Sequence, residues 1–413
     1  MSFHRSVAAA SLALVVAACS SSTEPAPGSQ GAPLESLPRQ LTAGEQTIVS
    51  AANDFSFGLF RQIAAAKKDS NAFTSPLSAS MALGMTMNGA AGSTYSQMKS
   101  TLAFGGAADA DINASYKSLI TLLRGLDPSV DFRIANSIWY RSGFPVEQSF
   151  LDVSKTAFDA TVTGLDFSSP SAVTTINDWV STATAAKIPK IIDKIENDQV
   201  MFLINAIYFK GSWRDKFDVA ETKDDTFHGI AGDQPMKLMH RHGKVSFSFN
   251  TQFAAADLPY GNSAYSMTVL LPNPGTTVDQ LAASLQTGSW NSWMTQFHEI
   301  TTDIWLPKLK LEWQRDLNDD LQAMGMRDAF QQNGADFTRM SSTQGHKLYI
   351  DKVKQKTFVD INEEGTEAAA VTSVGISVTS LPPSLRVDRP FIFVIRERLS
   401  GTILFMGKIV RMP

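Results

Sequence analysis

Residues 200–209 read Val-Met-Phe-Leu-Ile-Asn-Ala-Ile-Tyr-Phe, apolar at odd and even positions alike apart from Asn205. Side chains alternate across a strand, so a strand apolar on both faces must be covered on both. A chain containing it needs a central sheet with packing layers above and below. Further strands are predicted over 132–140, 265–271, 303–313 and 347–361. Two more, 391–396 and 402–410, form a hairpin about the turn at Ser400-Gly401. Helices are predicted over 174–184 and 317–324. Another starts after Thr42, where Thr42-x-x-Glu45 is a capping box ahead of Ile48, Ala52, Phe55, Leu59 and Ile63 at helical spacing. Strands and helices mix without a βαβ rhythm, which predicts an α+β class. With no internal repeat and no second linker, one large domain over 42–413 is expected.

The first forty residues stand apart. His4 and Arg5 precede an apolar run over 7–18 that ends in small residues, the pattern of a secretory signal peptide and too short to span a membrane. The run stops at Val16-Ala17-Ala18-Cys19. This resembles the bacterial lipoprotein signal, which is cut before a Cys whose thiol carries diacylglycerol. The alternative is cleavage at an Ala-x-Ala-like site, with Cys19 incidental. Residues 20–40 are rich in Ser, Pro, Gly and Ala, as in a flexible tether. The expected layout is a lipoprotein signal peptide over 1–18, lipidated Cys19 and a tether over 19–41, and the folded domain after them. Several acyl chains anchor far better than one, since each buried CH₂ contributes about 0.8 kcal/mol. The expected location is the cell envelope, or the outside of the cell; Ser20 after the Cys points to the outer membrane in a Gram-negative cell.

Composition removes several function classes. A single Cys among 413 residues excludes intramolecular disulfides and Cys-rich zinc sites. Thirty-six basic against 40 acidic side chains give a net charge of −4 and argue against a nucleic-acid binder. There is no Gly-x-Ser-x-Gly elbow, His298-Glu299 lacks the second His of a zincin, and Gly401 to Gly407-Lys408 has the wrong spacing for a P-loop. His240-x-His242 is a weak metal candidate, and Asp319-Asp320 reads as a solvated helix face. No enzyme, no cofactor and no catalytic residue is expected.

The informative stretch is Glu363-Glu364-Gly365-Thr366-Glu367-Ala368-Ala369-Ala370-Val371-Thr372, running on to Pro382-Pro383. At period two, one face carries Thr366, Ala368, Ala370, Thr372, Val374, Ile376 and Val378; the other carries Glu367, Ala369, Val371, Ser373, Gly375, Ser377 and Thr379. The first face begins small and ends β-branched, so it can slide under a sheet and pack. On pattern alone, an ordinary strand leading to the hairpin at Phe391 fits as well.

That hinge resembles the signature of the serpin family. So do Asn71-Ala72-Phe73-Thr74-Ser75-Pro76-Leu77-Ser78, Asn205-Ala206-Ile207-Tyr208-Phe209-Lys210-Gly211-Ser212-Trp213, Asp257-Leu258-Pro259-Tyr260, Leu306-Pro307-Lys308, Asp388-Arg389-Pro390-Phe391-Ile392-Phe393 and Gly401-Thr402-Ile403-Leu404-Phe405-Met406-Gly407-Lys408, in family order. The resemblance implies a serpin fold: three β-sheets surrounded by about eight or nine helices, with an exposed reactive-centre loop. It implies a monomeric suicide-substrate inhibitor of serine proteases. The protease is acylated, the cut loop inserts as a new strand, and the enzyme is trapped. Burying Val374, Ile376 and Val378 would contribute about 1.5–3 kcal/mol each. Alternatives are a non-inhibitory serpin-fold binding protein and a cross-class inhibitor of cysteine proteases.

In the family the acylated residue usually lies fourteen positions after the hinge glycine, which is Thr379, so the implied reactive bond is Thr379–Ser380, with Val378–Thr379 as the alternative. No Lys or Arg lies between Glu367 and Arg386 and no aromatic lies in the loop, which favours elastase-like or subtilisin-like targets over trypsin-like ones. Ser75, Ser78 and Asn205 match the polar cluster that lets the sheet part, and Trp213 matches a Trp at the top of that sheet. Gln355 stands where the family has a His; an amide donates and accepts but does not titrate.

Overall fold

The computed structural model describes residues 31–366 and 384–413. Nine α-helices occur among the described residues: α1 Ala43–Ala66, α2 Pro76–Met87, α3 Gly92–Thr101, α4 Asp109–Arg124, α5 Gln148–Phe158, α6 Pro170–Ala183, α7 Val278–Ser284, α8 Thr287–Met294 and α9 Asn318–Ala323. The strands are β1 Ala72–Thr74, β2 Asp131–Arg141, β3 Thr161–Leu165, β4 Met201–Ser212, β5 Lys223–Gly229, β6 Gly232–Phe249, β7 Phe253–Pro259 and β8 Tyr265–Pro272. They continue as β9 His298–Pro307, β10 Leu309–Asp316, β11 Lys354–Asn362, β12 Gly365–Thr366, β13 Leu385–Arg386, β14 Phe391–Glu397 and β15 Ile403–Ile409.

The resemblance implies three sheets; hydrogen bonding among the described residues joins them into two. One is six-stranded, in the order β10-β11-β12-β4-β2-β3, and the other nine-stranded. The joining element is β6, whose 18 residues pair with β5 over 232–238, with β9 over 238–247 and with β7 over 246–249. Between the sheets lies α2, buried on nearly every side as an all-round apolar helix must be. Phe73 anchors this core, stacked on Phe405 at 5.2 Å and on Phe393 at 5.6 Å.

The strand predicted over 303–313 is two strands in different sheets. Pro307 ends β9, and one residue later the chain begins β10 against β11. Proline removes a ladder donor and ends the pairing there. The strand predicted over 347–361 starts only at Lys354; Tyr349, Ile350 and Val353 pack on the core from irregular chain. Asp320 is no solvated residue: it is buried and holds Arg315 at 2.6 and 2.8 Å. The capping box forms as expected, Thr42 Oγ1 accepting from the Glu45 N–H.

Residues 31–41, expected to belong to a flexible tether, run along the body. The Leu34 N–H donates to the Asn262 carbonyl at 2.7 Å, and Leu34, Leu37 and Leu41 pack against the core. Arg39 grips the buried Glu45 carboxylate with both its terminal nitrogens. That grip, against the upward push of burial, holds the carboxyl down to about 2.

Candidate functional site at the hinge

β11 and β4 do not pair with each other. Between them, at the top of the six-stranded sheet, lie the two residues of β12. Gly365 and Thr366 pair antiparallel with Asn362 and Ile361 on one side and with Ser212 and Gly211 on the other. The turn that delivers them is built by Asn362, whose Oδ1 accepts from the Glu364 N–H at 3.0 Å. The Glu363 and Glu364 carbonyls then accept from the N–H groups of Phe217 at 3.0 Å and Trp213 at 2.7 Å. Gly365 has φ +150°, and a Cβ there would sit 2.2 Å from the Gly211 carbonyl oxygen and 2.6 Å from Ser212 Cα. Only glycine allows the backbones this close.

Each described hinge side chain has a partner elsewhere in the chain. Glu363 is buried and accepts from Thr222 Oγ1 and from Lys308 Nζ, both at 2.9 Å. Burial pushes its carboxyl up, but the Lys308 ammonium and the Thr222 hydroxyl outweigh that and leave it below its ordinary value. Glu364, also buried, meets Lys216 Nζ at 2.5 Å. Thr366 is buried against Tyr260, hydroxyl to hydroxyl at 2.8 Å, and Tyr260 stacks on Trp213 at 4.5 Å with its own hydroxyl pushed far up by burial. Trp213 Nε1 donates to the Asn362 carbonyl at 2.9 Å. Lys216, Thr222, Tyr260 and Lys308 hold the hinge and carry no expectation from sequence. Tyr260 and Lys308 sit inside quoted motifs, so a signal existed for them; for Lys216 and Thr222 there was none.

The sheet-opening residues fall into two groups, one for each side of the slot. On the β4 side Ser78 Oγ donates to Asn205 Oδ1, and Asn205 Nδ2 donates to Asn136 Oδ1 on β2 at 2.6 Å. On the β11 side Gln355 Oε1 accepts from Thr74 Oγ1 at 2.6 Å and the Ser75 N–H at 3.1 Å, while its Nε2 donates to the Ser75 carbonyl at 2.7 Å. Ser75 Oγ turns elsewhere, to the Leu404 carbonyl at 2.8 Å. The start of α2 therefore bridges both sides, and Gln355 spends its amide on backbone and Thr74, as a buried polar group must.

Glu367, Ala368, Ala369, Ala370, Val371, Thr372, Thr379 and Ser380 lie outside the described residues, as does Cys19. His240 and His242 share one carboxylate, Asp303, at 2.8 and 3.1 Å, and among the described residues no group of three or more His, Cys, Asp or Glu is arranged to hold a metal. Two open clefts of about 740 and 750 Å³ flank α4 and touch no hinge residue. The chemistry this site supports is strand pairing: a buried, hydrogen-bonded strand start between β11 and β4, which do not pair with each other among the described residues.

The family model described as serpin (serine protease inhibitor) matches residues 50–412. A leukocyte elastase inhibitor of Xenopus tropicalis is 34% identical over 377 residues, covering 88% of this chain and 99% of the relative. The crystal structure of a thermophilic serpin, tengpin, in the native state superposes with TM-score 0.81 at 29% identity, over 93% of this chain and 97% of that one. A thyroxine-binding globulin complex with thyroxine does so at 0.79 and 28%, over 88% and 99%. A hinge seated between two mutually unpaired strands, in a chain matched almost end to end, makes this protein a member of the serpin family.

Proposed function

We propose that the protein is an inhibitory serpin: a single-use substrate that traps serine endopeptidases by inserting its cleaved loop between β11 and β4. The observation that carries this is β12. Insertion needs a nucleus, and Gly365 and Thr366 already occupy it, paired on both sides. If the inserted strand kept that register, Thr366, Ala368, Ala370 and the β-branched Thr372, Val374, Ile376 and Val378 would share the core face. About ten new ladder bonds at about 0.5–1.5 kcal/mol each would add to that burial. The reactive bond is taken as Thr379–Ser380, and the elastase inhibitor among the relatives agrees with a small-residue specificity directed at elastase-like or subtilisin-like enzymes. We take residues 1–18 as a signal peptide, Cys19 as a lipid anchor to the envelope, and the inhibitor as a monomer.

The test is to mix the protein with an elastase-like or subtilisin-like protease. A gel-stable adduct with release of a C-terminal peptide starting at Ser380 is expected. Thr366→Arg places a long cation where Tyr260 packs and should convert inhibitor into substrate. Clean cleavage of the parent chain without adduct overturns the inhibitory reading in favour of a binding role, for which the thyroxine-binding relative is the precedent.

A further inference from the structure

The N-terminal segment joins the body beside the hinge. The Gly31 carbonyl accepts from Arg214 Nη1 at 3.1 Å, and the Leu34 N–H donates to the Asn262 carbonyl at 2.7 Å. Arg214 follows Trp213, whose N–H donates to the Glu364 carbonyl at 2.7 Å, and Ser212 before it pairs with Gly365. The strand that follows the loop starts at the same end. Arg386 of β13 pairs with Trp305, Trp305 pairs with His240, and the next residue, Arg241, lies 3.4 Å from Asp215, two positions past Trp213. The opposite end of the body is marked by exposed Asn197, four residues before β4 begins. The 12 residues of β4 put about 40 Å between these two ends.

We infer that the anchored protein stands with its hinge end toward the membrane, and that the partner this surface fits is a serine protease held at the same bilayer. Twelve residue steps separate Cys19 from Gly31. A chain of that length covers at most about 40 Å, and a flexible one covers about 20 Å on average. Turning the Asn197 end to the lipid would lift Gly31 by the whole length of β4, so the tether would have to be fully drawn out. The hinge end meets the lipid at ordinary extension. Both ends of the loop therefore stay within a layer about 40 Å deep, where a membrane-held protease works and which an enzyme from the medium must enter. The inference rests on the lipid anchor and on the inhibitory reading.

The experiment places the full, processed chain on lipid vesicles. The sequence has no cysteine besides Cys19, so a Cys introduced at exposed Ala220, close to the Thr222–Glu363 contact, or at Asn197 takes a fluorescent label alone. Energy transfer to a headgroup acceptor should be about three-fold stronger from Ala220→Cys than from Asn197→Cys. Inserting about twenty Gly/Ser residues between Gly28 and Ser29 should erase that difference. The same insertion should speed adduct formation with a free elastase-like protease about three-fold, yet bring no gain against that protease lipid-linked to the same vesicle. Equal transfer from the two labels overturns the orientation, and equal acceleration of both protease forms overturns the partner. A chain with no acyl mass on Cys19 that fails to float with vesicles overturns the anchor and the inference with it. Absence of adduct with either protease, while the labels still differ, overturns the inhibitory reading alone.

Discussion

At φ +150°, with 2.2 Å between a notional Cβ and the Gly211 carbonyl oxygen, position 365 leaves no room for a carbon beyond Cα. Gly365→Ala must either push β12 out of the slot or strain β4, at about 1–3 kcal/mol. Urea unfolding should show that loss, and the yield of protease adduct should fall with it; an unchanged midpoint and yield would contradict the seated hinge. The hinge motif was legible in the chain because its residues are contiguous. Its side-chain partners were not. Lys216, Thr222 and Lys308 come from three separate stretches, and nothing local marks a Lys as the one that will face a buried Glu.

At the level of elements, the slot is flanked by two strands tied independently to the start of α2, β4 through Asn205 and β11 through Gln355. Gln355→His tests the second tie. A neutral imidazole offers one donor and one acceptor to Ser75 and Thr74, but an imidazolium has no acceptor to give. Burial would therefore lower the folded pKa of the new His below its ordinary value of about 6.5. The unfolded chain then binds more protons, so stability should fall by about 1–3 kcal/mol as pH drops from 7.5 to 5. The parent, with an amide there, should show no such added slope in urea titrations at the two pH values; equal slopes would mean the ring finds other partners. Element types were readable where the period was clean, as in β4 and the β14–β15 hairpin. The run over 303–313 misled because its two halves share an alternating pattern while serving different sheets, and periodicity does not say which neighbour a strand will find.

For the whole molecule, the folded body begins before its first helix. Leu34, Leu37 and Leu41 are half-buried, so a chain starting at Thr42 should be about 2–4 kcal/mol less stable than one starting at Gly31. Truncation also removes Arg39 from Glu45. The depressed carboxyl contributes stability above its unfolded pKa of about 4.3 and loses it as pH falls toward 2. The two forms should therefore differ most at neutral pH and converge in acid, as followed by urea midpoints across pH. Identical midpoints at pH 7 would make residues 31–41 a tether after all. Their Ser, Pro and Gly content concealed this role, because three leucines at irregular spacing have no periodicity to reveal the surface they cover.

Contiguous residues were enough to mark the family and the hinge segment, since each motif is read along one stretch of chain. Tertiary structure alone decided what holds the hinge. Lys308 with Glu363 and Tyr260 with Thr366 are each pairs of residues far apart in the chain. Such pairs form where strands and connections cross, and around Tyr260 and Thr366, both buried, no water competes for the two hydroxyls.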